Sequence, residues 1–200
     1  MSSVTTTGLR ERKKADTRAA LAAAVLRLSV ERGFDHVTVE DVTTAADVSY
    51  RTFFNHFASK EEALLQPDGA GRPGLAARLA EVDPALPVLE AVRVALRVEL
   101  ERFEADADTW RARFAVIAAT PALLPRLVEL SATDERSVAA AVAARTGTDP
   151  ATDLYPGLVA AVLSAVSRVA VMRWHATTDV PLAVVLDEAL DAVAAGLPTP

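Results

Sequence analysis

The chain has 200 residues, 51% of them hydrophobic, with a net charge of −6 and no cysteine. That length holds one large domain or a small module joined to a larger one, and the apolar share suffices for a core without crosslinks or metals. The absence of thiols excludes disulfides, thiolate metal sites and cysteine nucleophiles, and it suits the reducing cytoplasm in which the chain is expected to act.

The acidic total argues against a nucleic-acid partner, but its distribution argues the other way. Residues 1–60 carry nine Lys/Arg against seven Asp/Glu, and residues 61–200 carry twelve against twenty. A local basic surface on an acidic body fits this asymmetry. The N-terminal "MSSVTTTGLRERKK" has no apolar stretch behind its charges, so it does not read as a secretory signal. The most apolar run, "GLVAAVLSAVS", ends at Arg168 and falls short of the roughly 20 residues of a spanning helix. No membrane partner is expected.

In chain order, residues 15–32 place Leu21, Ala24, Val25 and Leu28 on one helical face, and Gly33 is a natural stop. Thr38, followed three positions on by Asp41, predicts a capping box opening a short helix over 39–46. Asp47 falls where the chain must turn, and Asp tolerates the left-handed conformation better than most side chains. Ser49 is placed to cap a second short helix, and Ser59 to cap the next. "QPDGAGRPG", residues 66–74, reads as a linker. Beyond it come helical segments starting at "LAARLAEV" and continuing over 87–106, 109–119, 122–146, 155–176 and 181–195. Pro125 predicts a break or kink in its segment. Strand-like alternation and fixed-period repeats are absent from the sequence. The expected fold is all-α, with a module over residues 1–66 and a larger helical domain over 75–197.

The stretch "DVSYRTFFNHFASKEEAL" holds four of the chain's ten aromatic residues within eight positions. On a helix, Tyr50, Phe53, Phe54 and Phe57 fall on one side within about 100°, leaving Arg51, Thr52, Asn55 and His56 on the other. Eight residues do not hold a helix in water unaided, so the rings are expected to anchor it. A ring stripe can be plain core, and a polar face plain solvated surface. The full order of basic arm, long helix, Gly33, capped short helix, turn and Ser-capped aromatic helix points instead to a three-helix, helix-turn-helix module, its motif at about 38–57. Arg pairs bidentately with guanine and Asn with adenine, while Thr and His suit phosphate oxygens. Tyr50 is positioned to reach a phosphate or base, and Lys60 to meet the DNA backbone.

These residues are recognisable. With "TR" at 17–18, "ERGF" at 31–34, "TVEDV" at 38–42 and "AADVSYRTFFNHFASKEEAL" at 45–64, residues 10–65 resemble the N-terminal DNA-binding domain of the TetR family of bacterial transcriptional repressors. Asp47 departs from the family's turn glycine, Ser29 from a common phenylalanine, and Phe54 from a tyrosine that often touches phosphate. The resemblance implies that Ser49, Tyr50, Arg51, Thr52, Asn55, His56 and Lys60 face DNA, with Thr38 near the phosphates. It also implies a homodimer paired through the last two helices on a palindromic double-stranded operator. The arm "LRERKK" is expected to be flexible and to neutralise phosphates or enter the minor groove.

Residues 99–130 and 169–191 are similar to actinobacterial, mycofactocin-regulator-type members of the family. That similarity implies a small apolar effector, with acyl-CoA as one class. The expected pocket is lined by Phe103, Trp110, Phe114, Met172 and Trp174, with Arg113, Arg173 and His175 as polar contacts. An enzyme is not expected. His36, His56 and His175 lack metal-ligand spacing, "GAGRPG" lacks the flanking elements of a phosphate loop, and no carboxylates form an acid–base constellation. Neither catalytic residues, a cofactor nor a metal is anticipated. The remaining alternative, a helical ligand-binding protein without sequence-specific DNA binding, draws on the acidic total.

Overall fold

The computed structural model of the protein describes residues 3–67, 74–177 and 180–197. Most of the expected linker, residues 68–73, lies outside them. The described residues form ten α-helices and no strand. These are α1 (Ser3–Arg32), α2 (Val39–Ala45), α3 (Tyr50–Phe54), α4 (Lys60–Leu65), α5 (Leu75–Glu81), α6 (Val88–Ala105), α7 (Ala107–Ala118), α8 (Leu124–Thr146), α9 (Leu154–Ala176) and α10 (Leu182–Ala194). Short 3-10 turns occupy Phe34–His36 and Pro121–Leu123.

Two compact units divide the chain. The first is Met1–Arg72 together with Ala112–Leu127; the second is Pro73–Arg111 with Val128–Pro200. Residues 112–127 thus join the unit of the N-terminal helices, although the sequence places them in the larger C-terminal domain.

In the first unit the local signals act largely as chemistry dictates. The Thr38–Asp41 capping box closes in both directions. Asp47 takes the left-handed conformation, at φ 52°. The Ser49 side chain accepts from the Thr52 N–H, and the Ser59 side chain from that of Glu62. The main departure is α1, which begins at Ser3 and runs straight through "LRERKK". Extending an existing helix needs one hydrogen bond per residue and no new nucleus, and residues 9–14 contain neither Pro nor Gly to stop it. The expected flexible arm lies within the first half of a 30-residue helix. Leu21, Val25 and Leu28 from α1 meet Val42, Phe53, Phe57 and Leu64 in one core, which Val116 and Leu123 complete.

In the second unit, α10 packs on α9 and α6. The Arg93 guanidinium forks to Asp187 and Asp191 on α10, and Glu104 accepts from the Ala183 N–H at α10's start. Arg145, near the end of α8, donates to the carbonyls of Val82, Asp83 and Leu86, closing the turn between α5 and α6. Pro125 is the second residue of α8, where the missing N–H has no helical acceptor to lose. The break expected there falls just before it, where the 3-10 turn Pro121–Leu123 gives way to α8.

The four rings of the aromatic stretch do not share one fate. Phe53 and Phe57 are sealed in the core, whereas Tyr50 and Phe54 are exposed, at 52% and 45%. Phe53→Ala is therefore expected to cost about 3–5 kcal/mol. Phe54→Ala should cost less than about 1 kcal/mol, both read from urea unfolding followed by circular dichroism.

Candidate nucleic-acid interface

The expected binding residues gather on one short region, which α2, the Asp47 turn and α3 present. Ser49 stands in extended backbone ahead of α3. Its Oγ accepts from the Thr52 N–H at 3.1 Å and lies 2.8 Å from the Thr52 hydroxyl. These two residues hold the helix start together, and Thr52 is half-buried in doing so. Arg51 and Asn55 are exposed. The helix is shorter than the eight residues expected: Asn55 is already its C-cap, donating its N–H to Arg51 and Thr52 carbonyls, and His56 lies in the following turn. Phe53 and Phe57 form the underside. Tyr50 and Phe54 lie ring to ring at 4.9 Å on the outer side, so the stripe reaches the surface instead of ending in the core.

Arg18 on α1 fixes the far end of this region. Its guanidinium donates to the carbonyls of His56, Gln66 and Pro67, lies 3.4 Å from the Glu62 carboxylate, and stacks on the Phe57 ring at 3.8 Å. The sequence offers "TR" at 17–18 as a motif, but nothing local tells that this arginine points inward. His56 is half-buried beside it. Burial, and then the positive charges of Arg18 and Lys14, hold its imidazole below the ordinary value of 6.5. Its Nδ1 is buried without a hydrogen-bond partner among the described residues.

Thr38 is exposed at the start of α2, and its hydroxyl serves Asp41 twice. It accepts from the Asp41 N–H at 3.1 Å and donates to the carboxylate at 2.7 Å. That bond first, then the Thr38 N–H, and finally the Arg32 charge keep the Asp41 carboxyl below its usual range. Lys60 differs most from expectation. Its ammonium donates to the carbonyls of Phe34 and Val37 at 2.9 and 2.8 Å and sits 4.4 Å from the centre of the Phe34 ring. Two carbonyl acceptors and a ring face draw it into the domain, so it ties the start of α4 to the turn before α2 rather than reaching outward.

The eight residues expected to form an effector pocket fall in both compact units, and each has its own surroundings there. Arg113 and Phe114 belong to the first unit and the other six to the second. Arg113 is 4% exposed and donates to the Leu64 carbonyl, locking the C-terminus of α4. Trp174 is buried under the Arg111 guanidinium at 4.5 Å. Phe103 and Trp110 pack together, ring centroids 4.3 Å apart. Met172 is on the outer face of α9, and Arg173 is exposed, 3.8 Å from Glu188. His175 is half-buried near the end of α9. A cleft of about 430 Å³ does exist in the first unit, and none of the eight lines it.

A region built this way, with a capped two-helix turn over a ring-anchored underside, agrees with the relationships of the chain. The model for bacterial regulatory proteins of the tetR family matches residues 21–66, and that for the MftR C-terminal domain matches residues 86–198. The chain belongs to the TetR family. It is accordingly a DNA-binding transcriptional regulator of a family that does not consist of enzymes. The HTH-type transcriptional regulator TcmR of Streptomyces glaucescens is 37% identical over 93% of this chain and 86% of that protein. A Mycobacterium tuberculosis protein assigned as the mycofactocin biosynthesis transcriptional regulator MftR is 29% identical, covering 93% of each. The fold is shared with the TetR-family repressor FadR of Thermus thermophilus, solved with lauroyl-CoA, at a TM-score of 0.59 and 23% identity over 92% of this chain and 96% of that one.

The His56 environment in this TetR-family regulator carries a sign that can be checked. A neutral imidazole held below 6.5 in the fold contributes stability that is present above that value and is lost as the pH falls through it, because the unfolded chain takes up the proton first. The melting temperature should therefore fall more between about pH 7.5 and 5 for the wild type than for His56→Gln. Circular dichroism melts of the two proteins in parallel measure the difference.

Proposed function

We propose that this regulator binds a palindromic operator as a homodimer, represses transcription from it, and is released by a small apolar effector. The observation that carries the DNA half is the exposed pair Arg51, on α3, and Asn55, its C-cap, in a stretch whose Phe53 and Phe57 are buried. Arg51 would read guanine and Asn55 adenine in the major groove. Ser49, Tyr50, Thr52 and His56 border them and would meet phosphates, with Thr38 at the start of α2. Lys60 would act from inside, by holding α4 against the turn before α2. The protein would work in the cytoplasm, beside the chromosome.

The pairing half rests on α9. This helix has 23 residues, and an 18-residue stretch of it has a mean hydropathy of 1.7, long and apolar enough by those two measures to cross a membrane. It is thus longer than the apolar run read from the sequence, because it continues past Arg168. One side, including Ala160, Leu163, Val166, Ala170 and Trp174, is buried. The other leaves Leu158, Ala161, Ala165, Val169 and Met172 exposed at helical spacing. Small residues at the middle of an apolar stripe allow close helix approach, and a second copy of the stripe is a self-complementary cover. The effector half draws on the match to the MftR C-terminal domain and on the lauroyl-CoA held by FadR.

The test uses fluorescence anisotropy with an inverted repeat from DNA upstream of the coding region. Arg51→Ala and Asn55→Ala should each lower discrimination against unrelated duplex by about 1–3 kcal/mol. Lauroyl-CoA titrated into the complex should release the DNA. The lack of salt-dependent, sequence-selective duplex binding would instead favour the helical ligand-binding protein without operator recognition. In the pairing test, Ala161→Glu should convert the dimer to monomer in light scattering at unchanged helicity; an unchanged mass removes α9 from the interface.

A further inference from the structure

We propose that the cleft bounded by the last turn of α1, the Phe34–His36 turn and α7 is a small-molecule site on the DNA-binding unit. Its shape and chemistry suit a compact apolar body with a cationic head. At about 430 Å³ it lies within the range of ligand pockets. Every residue lining it belongs to the first unit.

The apolar surface has a simple origin. Ala112 and Ala115 on α7 and Ala119 in the turn just past its end line the cleft, so this wall presents methyl groups where longer side chains would fill the hollow. Phe34 and Val116 form the buried floor. Val30, 60% exposed at the end of α1, is an apolar wall left in water. The hydroxyls at the edge offer no proton to a guest: Ser29 donates to the Val25 carbonyl at 2.6 Å and Thr120 to that of Val116 at 2.7 Å. The side chains left for a polar head are the Asp35 carboxylate, an acceptor, and the His36 imidazole, which can accept or donate, both exposed among the lining residues. An anionic head would meet that carboxylate; an ammonium would be attracted to it.

The place of the cleft gives an occupant leverage. The Phe34 ring that floors it is the ring beneath Lys60, and the Phe34 and Val37 carbonyls are the acceptors of the Lys60 ammonium. Val37 is followed directly by Thr38, the cap of α2. A molecule seated on Phe34 therefore touches the residue from which both α2 and α4 are hung, and its binding would be linked to DNA affinity in both directions.

The experiment titrates 4-(trifluoromethyl)benzylamine into the ¹⁵N-labelled full chain, with 4-(trifluoromethyl)benzoate as the same body bearing the opposite charge. The expected result is a saturable shift of the Val30, Phe34, Ala115 and Ala119 amides, continuing to Val37 and Thr38. Half-saturation should fall at about 1 mM, the order a twelve-atom ligand reaches at modest efficiency. Ala115→Trp, which fills the hollow from an exposed helix position, should weaken the amine at least about tenfold. Val30→Lys, also at an exposed position, should do the same by repulsion, so the test survives if either variant folds poorly. Asp35→Asn should weaken it about threefold, as expected of an exposed charge pair. Equal affinity for the benzoate, shifts confined to other helices, no saturable shift, or amine binding unchanged in both blocking variants would overturn the proposal.

Discussion

One guanidinium holds the DNA-binding unit in register. α3 has five residues, far too few to persist as a free helix, and its last turn is open to solvent. Arg18 supplies from α1 what α3 lacks. A planar fork of donors reaches the carbonyl just past the end of α3 and two more at the end of α4, while its flat face rests on Phe57. Arg suits this better than Lys because its donors are fixed in a plane and its charge is weakly hydrated. Phe53 and Phe57 can be core residues, and Arg51 and Asn55 surface residues, only while that fork sets the tilt of α3 against α1.

The same use of cations reshapes the charge argument. Of the nine Lys/Arg in residues 1–60, Arg18 and Lys60 serve the interior, Arg27 lies beside Glu31, and Arg32 beside Asp41. Arg51 and the exposed group Arg10, Arg12, Lys13 and Lys14 along the first half of α1 are not engaged in these contacts. The modest positive excess of this segment is thus concentrated, not spread. A helix carries Arg10 to Lys14, where a loose tail is expected from the sequence.

Signals that depend on a few neighbouring residues were legible in the sequence. The Thr38–Asp41 box, the Ser49 and Ser59 caps and the left-handed Asp47 follow from hydrogen-bond reach within four residues, and each forms. What depends on distant packing was not. Helical spacing puts Tyr50, Phe53, Phe54 and Phe57 on one side, but where the core stops is set by α1, and two of the four rings lie beyond it. Lys60 reads as a surface cation until the Phe34 and Val37 carbonyls, more than twenty residues away, are seen to meet it. The cleft of the first unit is bordered in part by alanines, which a search for rings and charges passes over.

Asp47 has a bearing on how stiffly the two short helices are joined. Glycine at a left-handed position is free of steric penalty but leaves the unfolded chain with more conformations to surrender, by roughly 0.5–1 kcal/mol. An aspartate reverses both terms: it is strained when folded and restricted when not. The two effects are of comparable size and opposite sign, so net stability changes little between them. Pivoting does change, since a side chain at this joint narrows the range of backbone angles through which one helix can swing against the other.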